Sequence, residues 1–562
     1  MGYTIVLTCL DCTFCDKDST AIIYEEMIAK LVILFCVVVC AFSFNIESFL
    51  KDAGISKNEK SLPDIGLKLL SAIRTKAEGY LKDHPDAKAS EYPYFNFIPM
   101  FRAGLVPDKN AYGPTAWSAS CFSDNRALAS TQSDGSIKIT ITTSGNPSSE
   151  GCYDHYLLMT NTGSDRVKID KTGDLTFTYN VPADMNDAEK WDLSQKGIRV
   201  MEILTDEPTT IANLLQTVLL FIPEFTQGVD KKSAERNVDF INRYTPFTME
   251  PRDPSSNRPP PAEQVHSGDF FGIIRLDGLD PMLAWGMGSN TGHTTTALWI
   301  DGELYICEST AVSSYWPVNG IQKTPYLTWL KQAEQAGFNV VHSPLNSAVR
   351  ALFDEAAAVE FFRSVEGVDY GYNNMLWGWL DTLYDNYPCV PSDYSSVCLT
   401  WDAVEPLFAT IDRHIPQISA QMWNPAWNKR IGTSDLGTSQ IYQTAAQDLA
   451  MPSRVIPTVV ERDEWRYNTT RYGEPTVAPS LVCCVFVCNV WKAAGVFQDM
   501  DVNCAEQTNA DDYSLQIFEP SYSQILGDWT LNLAHYNSKV PFSHMGETCP
   551  SKGPDYIQDP SC

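Results

Sequence analysis

Apolar residues recur at positions 483, 486, 487, 490, 491 and 494, the spacing of a single helix. Pro479 and Ser480 stand before this run and Gly495 closes it, as start and stop signals should. The same periodicity predicts helices over 45–86, where Leu67, Leu70, Ile73, Ala77 and Leu81 form a stripe, and over 207–224, 328–336 and 348–365. Shorter runs at 137–142, 156–159, 175–179 and 197–201 are rich in β-favouring types, with Ser-, Gly- and Asn-rich turns between them. They predict a small β-sandwich. The runs 292–300 and 304–308 flank Asp301-Gly302 and read as a hairpin.

These elements divide the chain. Residues 1–44 read as a leader, 45–115 as a helical and then aromatic, irregular segment, and 116–250 as a β-rich accessory domain with one helix. The proline-dense stretch 251–265 reads as a stiff linker. Residues 266–540 form the candidate catalytic domain, with an aromatic-rich insertion at 371–465, and 541–562 is a cysteine-containing tail. The insertion's Trp and Tyr residues read as core, or else as a wall over a cleft.

The chemistry gathers in the C-terminal half. Cys483 and Cys484 fall at the start of the predicted helix, where backbone N–H groups and the helix dipole favour a thiolate. His293 opens one hairpin strand and Glu308 ends the other, so the hairpin can bring them together. A cysteine, a histidine and a carboxylate that orients the imidazole make a nucleophilic constellation. Cys483 is the expected nucleophile and Cys484 its rival. A vicinal disulfide between them would be strained and would silence both. Tyr370 is a candidate for substrate binding. Asp269 is expected to cap a turn.

The order of these parts resembles the permuted NlpC-type (YiiX-like) papain-like cysteine peptidases and amidases. Ser267-Gly268-Asp269-Phe270-Phe271 is similar to that family's opening strand, and Gly292-His293-Thr294-Thr295-Thr296-Ala297-Leu298 to its histidine strand. Glu308 matches its polar third residue, Gly367-Val368-Asp369-Tyr370 its short G-x-x-Y element, and Cys483-Cys484-Val485-Phe486-Val487 its nucleophile helix. The resemblance covers roughly 265–500. It implies an α+β fold in which a nucleophile helix packs on a small antiparallel sheet, with His, Glu and Cys in that order along the chain. Two departures stand out: a second Cys follows the matched one, and a long insertion separates Tyr370 from Cys483.

Charge and cysteine usage bear on compartment and partners. A net charge of −28 disfavours nucleic acid and anionic membrane surfaces. Lys30 precedes an apolar run of about a dozen residues, too short to span a bilayer and suited to a signal peptide, with Met27 as the expected start. Five of the 16 cysteines lie in this leader; the other eleven are an odd number, so oxidation leaves at least one thiol unpaired in the monomer. Expected bridges are Cys121–Cys152 and Cys389–Cys398, with Cys504 bonded to Cys549 or Cys562. Asn468-Thr469-Thr470 is a glycosylation sequon. No His-rich metal spacing is present, and no cofactor is expected. The expectation is therefore a secreted or endo-lysosomal cysteine hydrolase acting on a peptide, cell-wall amide or lipid-amide bond. The alternatives are a non-catalytic secreted or surface binding protein on the same fold, and an acyltransferase or other lipid-directed thiol enzyme.

Overall fold

The computed structural model describes Lys82 and residues 100–537, apart from 204–230, 375–400 and several shorter stretches. The leader with Met27, the expected helix over 207–224, the Cys389–Cys398 pair and the tail with Cys549 lie outside the described residues, as does the helix over 45–86 except at Lys82.

The first strands are β1 (Met100–Leu105), β2 (Asp124–Thr131), β3 (Ile137–Ser144), β4 (Asp154–Met159), β5 (Ser164–Ile169), β6 (Gly173–Tyr179) and β7 (Ile198–Ile203). They form two antiparallel sheets, ordered β1-β7-β4-β5 and β2-β3-β6. Strand β3 shows why they fold this way: Ile137, Ile139 and Ile141 are buried while Lys138, Thr142 and Ser144 face water. Phe122, Tyr156 and Val200 complete the shared core. Strands β1, β2 and β5 escape a pattern reading; β2 offers only Ala127, Leu128 and Ala129, and β5 only Val167 and Ile169, as apolar residues. A disulfide joins Cys121 to Cys152.

The second body begins at α1 (Lys231–Tyr244) and continues through β8 (Phe270–Ile274), α2 (Leu279–Gly286), β9 (His293–Ile300), β10 (Glu303–Thr310), β11 (Gly320–Pro325), α3 (Tyr326–Gln335) and β12 (Asn339–Ser343). Then come α4 (Ser347–Leu352), α5 (Glu355–Val365), α6 (Trp401–His414), α7 (Pro416–Met422), α8 (Asn424–Arg430) and α9 (Thr438–Asp448). The hairpin β13 (Tyr467–Arg471) and β14 (Glu474–Ala478), α10 (Cys483–Ala493), α11 (Asn509–Ser514) and β15 (Ser523–Leu526) end it. Helices and antiparallel sheets together make the chain α+β. A six-stranded sheet ordered β11-β10-β9-β8-β12-β15 is antiparallel throughout. The β9–β10 turn has Asp301 and Gly302 both left-handed, at φ 52° and 85°, the conformation a two-residue hairpin of matching twist requires.

Leu298 and Cys307 belong to the core that contains α10, whereas Ala297 and Ile306 belong to a second core with Trp329 of α3. The sheet is thus covered on both faces. Helix α10 is buried from Cys483 to Cys488 and again at Val490 and Trp491, with Asn489 and Lys492 on its one less buried side. Its end is a Schellman motif: Gly495 at φ 77°, with Val496 N–H on Trp491 O and Gly495 N–H on Lys492 O.

The proline-dense stretch 251–265 does not hang free. Arg252 donates from its backbone to Asp528 O at 2.7 Å and from its side chain to Gly527 O and Gln524 O. Tyr326 and Trp299 donate to Pro260 O and Val265 O. Proline removes donors but leaves carbonyls, and the Pro260 carbonyl is taken up by Tyr326 at the start of α3. In the insertion, Phe408 stacks on Trp423 with centroids 4.5 Å apart, and Trp427 and Tyr442 join them in the core. Trp377, Trp379, Tyr384 and Tyr387 lie outside the described residues.

Candidate functional site

The site forms where the head of α10 meets the head of β9. Val482 caps the helix without a side-chain hydrogen bond. The approach to it is fixed from two sides. Ser309 Oγ donates to Leu481 O at 2.7 Å, and Gly371 N–H donates to the same carbonyl at 3.2 Å. A Cβ at Gly371 would lie 2.4 Å from Leu481 N, so only glycine allows this approach.

The structure brings Cys483, His293 and Glu308 together. His293 Nε2 and Glu308 Oε2 are 2.8 Å apart, and both side chains are buried. Trp329 Nε1 donates to the other carboxylate oxygen, Oε1, at 3.0 Å, which holds Glu308 in place. With Nε2 committed to Glu308, the imidazole also interacts with the Cys483 thiol, and each group shifts the titration of the other. Burial alone would push the His293 pKa down, but the bonds to Cys483 and Glu308 outweigh it and raise it to about 9. The Cys483 thiol is held well below the usual thiol range. The hydrogen bond from Cys484 is the largest cause; burial opposes it, and His293 and the backbone N–H of Thr294 add to the lowering. In the thiol form Cys483 donates to Asn509 Oδ1 at 3.5 Å, and Asn509 Nδ2 is anchored on Thr291 O.

Cys484 is fully buried, and burial, then the bond to Cys483, drive its thiol well above the usual range. Between the two rivals, only Cys483 faces the imidazole with a stabilised thiolate. Tyr370 is buried beside both thiols, whose charge adds to burial in raising its hydroxyl pKa. Cys307 is a third free and buried thiol, on β10.

Cys504 bonds to Cys488, not to Cys549 or Cys562. Cys488 lies one turn beyond Cys484 on α10, and the chain turns back after Gly495, so Cys504 returns to the same helix with a Cα–Cα distance of 5.5 Å. This bridge ties to α10 the segment that carries Asn509 and Asp512. Neither residue is visible to motif reading; the Thr508–Asp511 capping box signals a helix start but not its neighbour. Trp329 falls in a predicted helix, and nothing in the sequence marks its indole as a partner for Glu308. Asn468 is exposed on β13. Among the described residues, no helix is long and apolar enough to cross a membrane.

No family model, curated protein or solved structure matches the chain.

Proposed function

We propose that this protein is an exported cysteine hydrolase that cleaves an amide bond with Cys483 as nucleophile, His293 as base and acid, and Glu308 as the group that orients the imidazole. The observation that carries the reading is the buried His293 imidazole set between the Cys483 thiol and the Glu308 carboxylate. The His–Glu–Cys order and the motifs around it resemble those of permuted papain-like peptidases and amidases. Disulfides at Cys121–Cys152 and Cys488–Cys504 suit an oxidising compartment, outside the cell or in the endo-lysosomal lumen.

In this mechanism the Cys483 proton passes to His293 and the thiolate attacks the carbonyl carbon. The charge that develops on the carbonyl oxygen is stabilised by N–H groups at the α10 start, including that of Cys483. The imidazolium gives its proton to the leaving amine as the C–N bond breaks, which leaves a thioester. Water, losing a proton to His293, adds to the thioester and releases the acid and the thiol.

The test is alkylation of the native, unreduced protein with iodoacetamide near pH 5.5, about three units below the pKa of an ordinary thiol. Mass spectrometry is expected to find the label on Cys483. Label on Cys484 instead, or on neither, overturns the assignment, and no label at all favours a binding protein.

A further inference from the structure

Behind the thiol lies a carboxyl group that the mechanism above does not use. Asp512 on α11 is wholly buried. Its Oδ1 accepts from Gln507 Nε2 at 2.7 Å and its Oδ2 lies 3.1 Å from Thr294 Oγ1. Thr294 follows His293 on β9, and its backbone N–H is one of the groups that lower the Cys483 thiol pKa. A chain of contacts thus runs from α11 through β9 to the head of α10, and the Cys488–Cys504 bridge closes it from behind. Neither end of this chain is held by a solvent-exposed side chain.

We propose, building on the Cys483 reading, that Asp512 is a positioning residue: through Thr294 it fixes the strand that carries His293 against the helix that carries Cys483, and it does so as an uncharged acid. A carboxylate this deep pays heavily for its charge. Burial is the main cause that drives its pKa up, and the charges that weigh on it most, Cys483 and Asp511, are both negative. The titratable groups around the clamp are Cys483 and Cys484 on α10, His293 on β9, Glu308 on β10, Asp511 on its own helix and Tyr370. Only His293 among them carries positive charge, and Glu308 already holds that imidazole. In the structure Thr294 Oγ1 donates to Oδ2; as an acid, Asp512 still accepts from Gln507 at Oδ1, and the bond to Thr294 persists with its direction reversed, Oδ2–H donating to Oγ1, so both contacts survive without the charge.

The experiment compares Asp512→Ala with Asp512→Asn in the full, disulfide-bonded chain. The readout is the rate of Cys483 alkylation by iodoacetamide across pH 4–9, followed by mass spectrometry, with a thermal melt for each variant. Asp512→Ala cuts the clamp, and the midpoint of Cys483 labelling is expected to rise by about one unit or more toward the ordinary thiol value of about 8.5. Asp512→Asn keeps both contacts and cannot ionise, and it is expected to recover most of that shift. An Ala variant that is folded and labels like the parent overturns the proposal. So does an Asn variant that behaves like Ala, or one whose midpoint falls about a unit below the parent, since that fall would mean the parent carried a charge there. If the Ala variant does not fold, Thr294→Val, which removes the other end of the contact, takes its place with the same expected rise. Failure of the parent itself to label at Cys483 near pH 5.5 would instead sink the nucleophile assignment.

Discussion

Glu308→Gln tests the least visible part of the proposed machinery. The carboxylate makes two hydrogen bonds, one to His293 Nε2 at 2.8 Å and one from Trp329 Nε1 at 3.0 Å. Glutamine matches the shape but offers one oxygen and one NH2, so one of the two donors must face another donor. The bond to His293 also loses its charge. A hydrogen bond to a charged group contributes about 1.5–3 kcal/mol, and one pKa unit corresponds to about 1.4 kcal/mol, so the imidazolium should lose about 1–2 units. The His293 pKa, raised to about 9 in the parent, should fall to about 7–8. The sign follows from the charge: Glu308 favours the protonated ring, so its loss lets the ring deprotonate at lower pH. Iodoacetate is the suitable probe. It needs the thiolate, and its own carboxylate is drawn by the imidazolium, so its rate of reaction with Cys483 should be bell-shaped in pH. The alkaline limb is expected near 9 in the parent and about 1–2 units lower in the variant. A limb that stays in place would refute Glu308 as the orienting group. The same linkage gives a stability effect: the raised His293 pKa contributes stability that is fully present below about pH 6.5 and is lost as pH rises through about 9, and the variant should retain less of it.

Two further predictions concern the frame. Gly371→Ala would set a methyl 2.4 Å from Leu481 N, so it should cost about 1–3 kcal/mol in urea denaturation and slow Cys483 labelling, and a variant normal in both would refute the fixed approach to α10. Asp269→Asn removes the charge from a buried carboxylate that meets His342 Nε2 at 3.0 Å and Arg350 Nη2 at 2.8 Å, and should cost about 2–5 kcal/mol at neutral pH. Burial opposes the Asp269 charge, but the bond to His342 leads the effects that hold its pKa below the usual range, so its contribution is present above about pH 4 and is lost as pH falls through the folded value. The variant should therefore lose part of the parent's acid-side slope, and a loss under about 1 kcal/mol would refute the hub.

What could be read in the sequence was what periodicity and short spacing carry. The α10 helix is bounded by Pro479 and Gly495, and its Schellman end is the physical reason that Gly495 was a usable signal. His293 and Glu308 are fifteen residues apart across a two-residue hairpin, so strand register alone brings them close. What stayed hidden depends on tertiary return. Cys504 meets Cys488 because the chain doubles back after α10, which no spacing rule foretells. Asn509 reaches the thiol and Asp512 reaches Thr294 by the same return, and Trp329 reaches Glu308 from α3, on the other face of the sheet from α10. Asp269 reads locally as a turn cap and does accept from His266 N–H, but its bonds to His342 and Arg350 come from residues more than seventy positions away. Strands β2 and β5 are hidden for a different reason: each carries only two or three apolar residues, and each is held in its sheet by pairing along its full length.

The charge balance of the buried cluster links these observations. Cys483 as thiolate, His293 as imidazolium and Glu308 as carboxylate sum to one negative charge in a pocket walled by Trp329, Tyr370 and apolar residues of α10. That charge is tolerable because each member is bonded: the thiolate by Cys484 S–H and Thr294 N–H, the carboxylate by His293 and Trp329. An ionised Asp512 would add a second negative charge near the sulfur, where the charges that weigh on it most are themselves negative, and would push the proton back from His293 to Cys483. Cys484 fits the same logic. Its thiol pKa is driven up by burial and by the bond to Cys483, which favours it as the S–H donor of the pair. On the proposed mechanism the vicinal pair has divided roles, one sulfur carrying the charge and the other stabilising it.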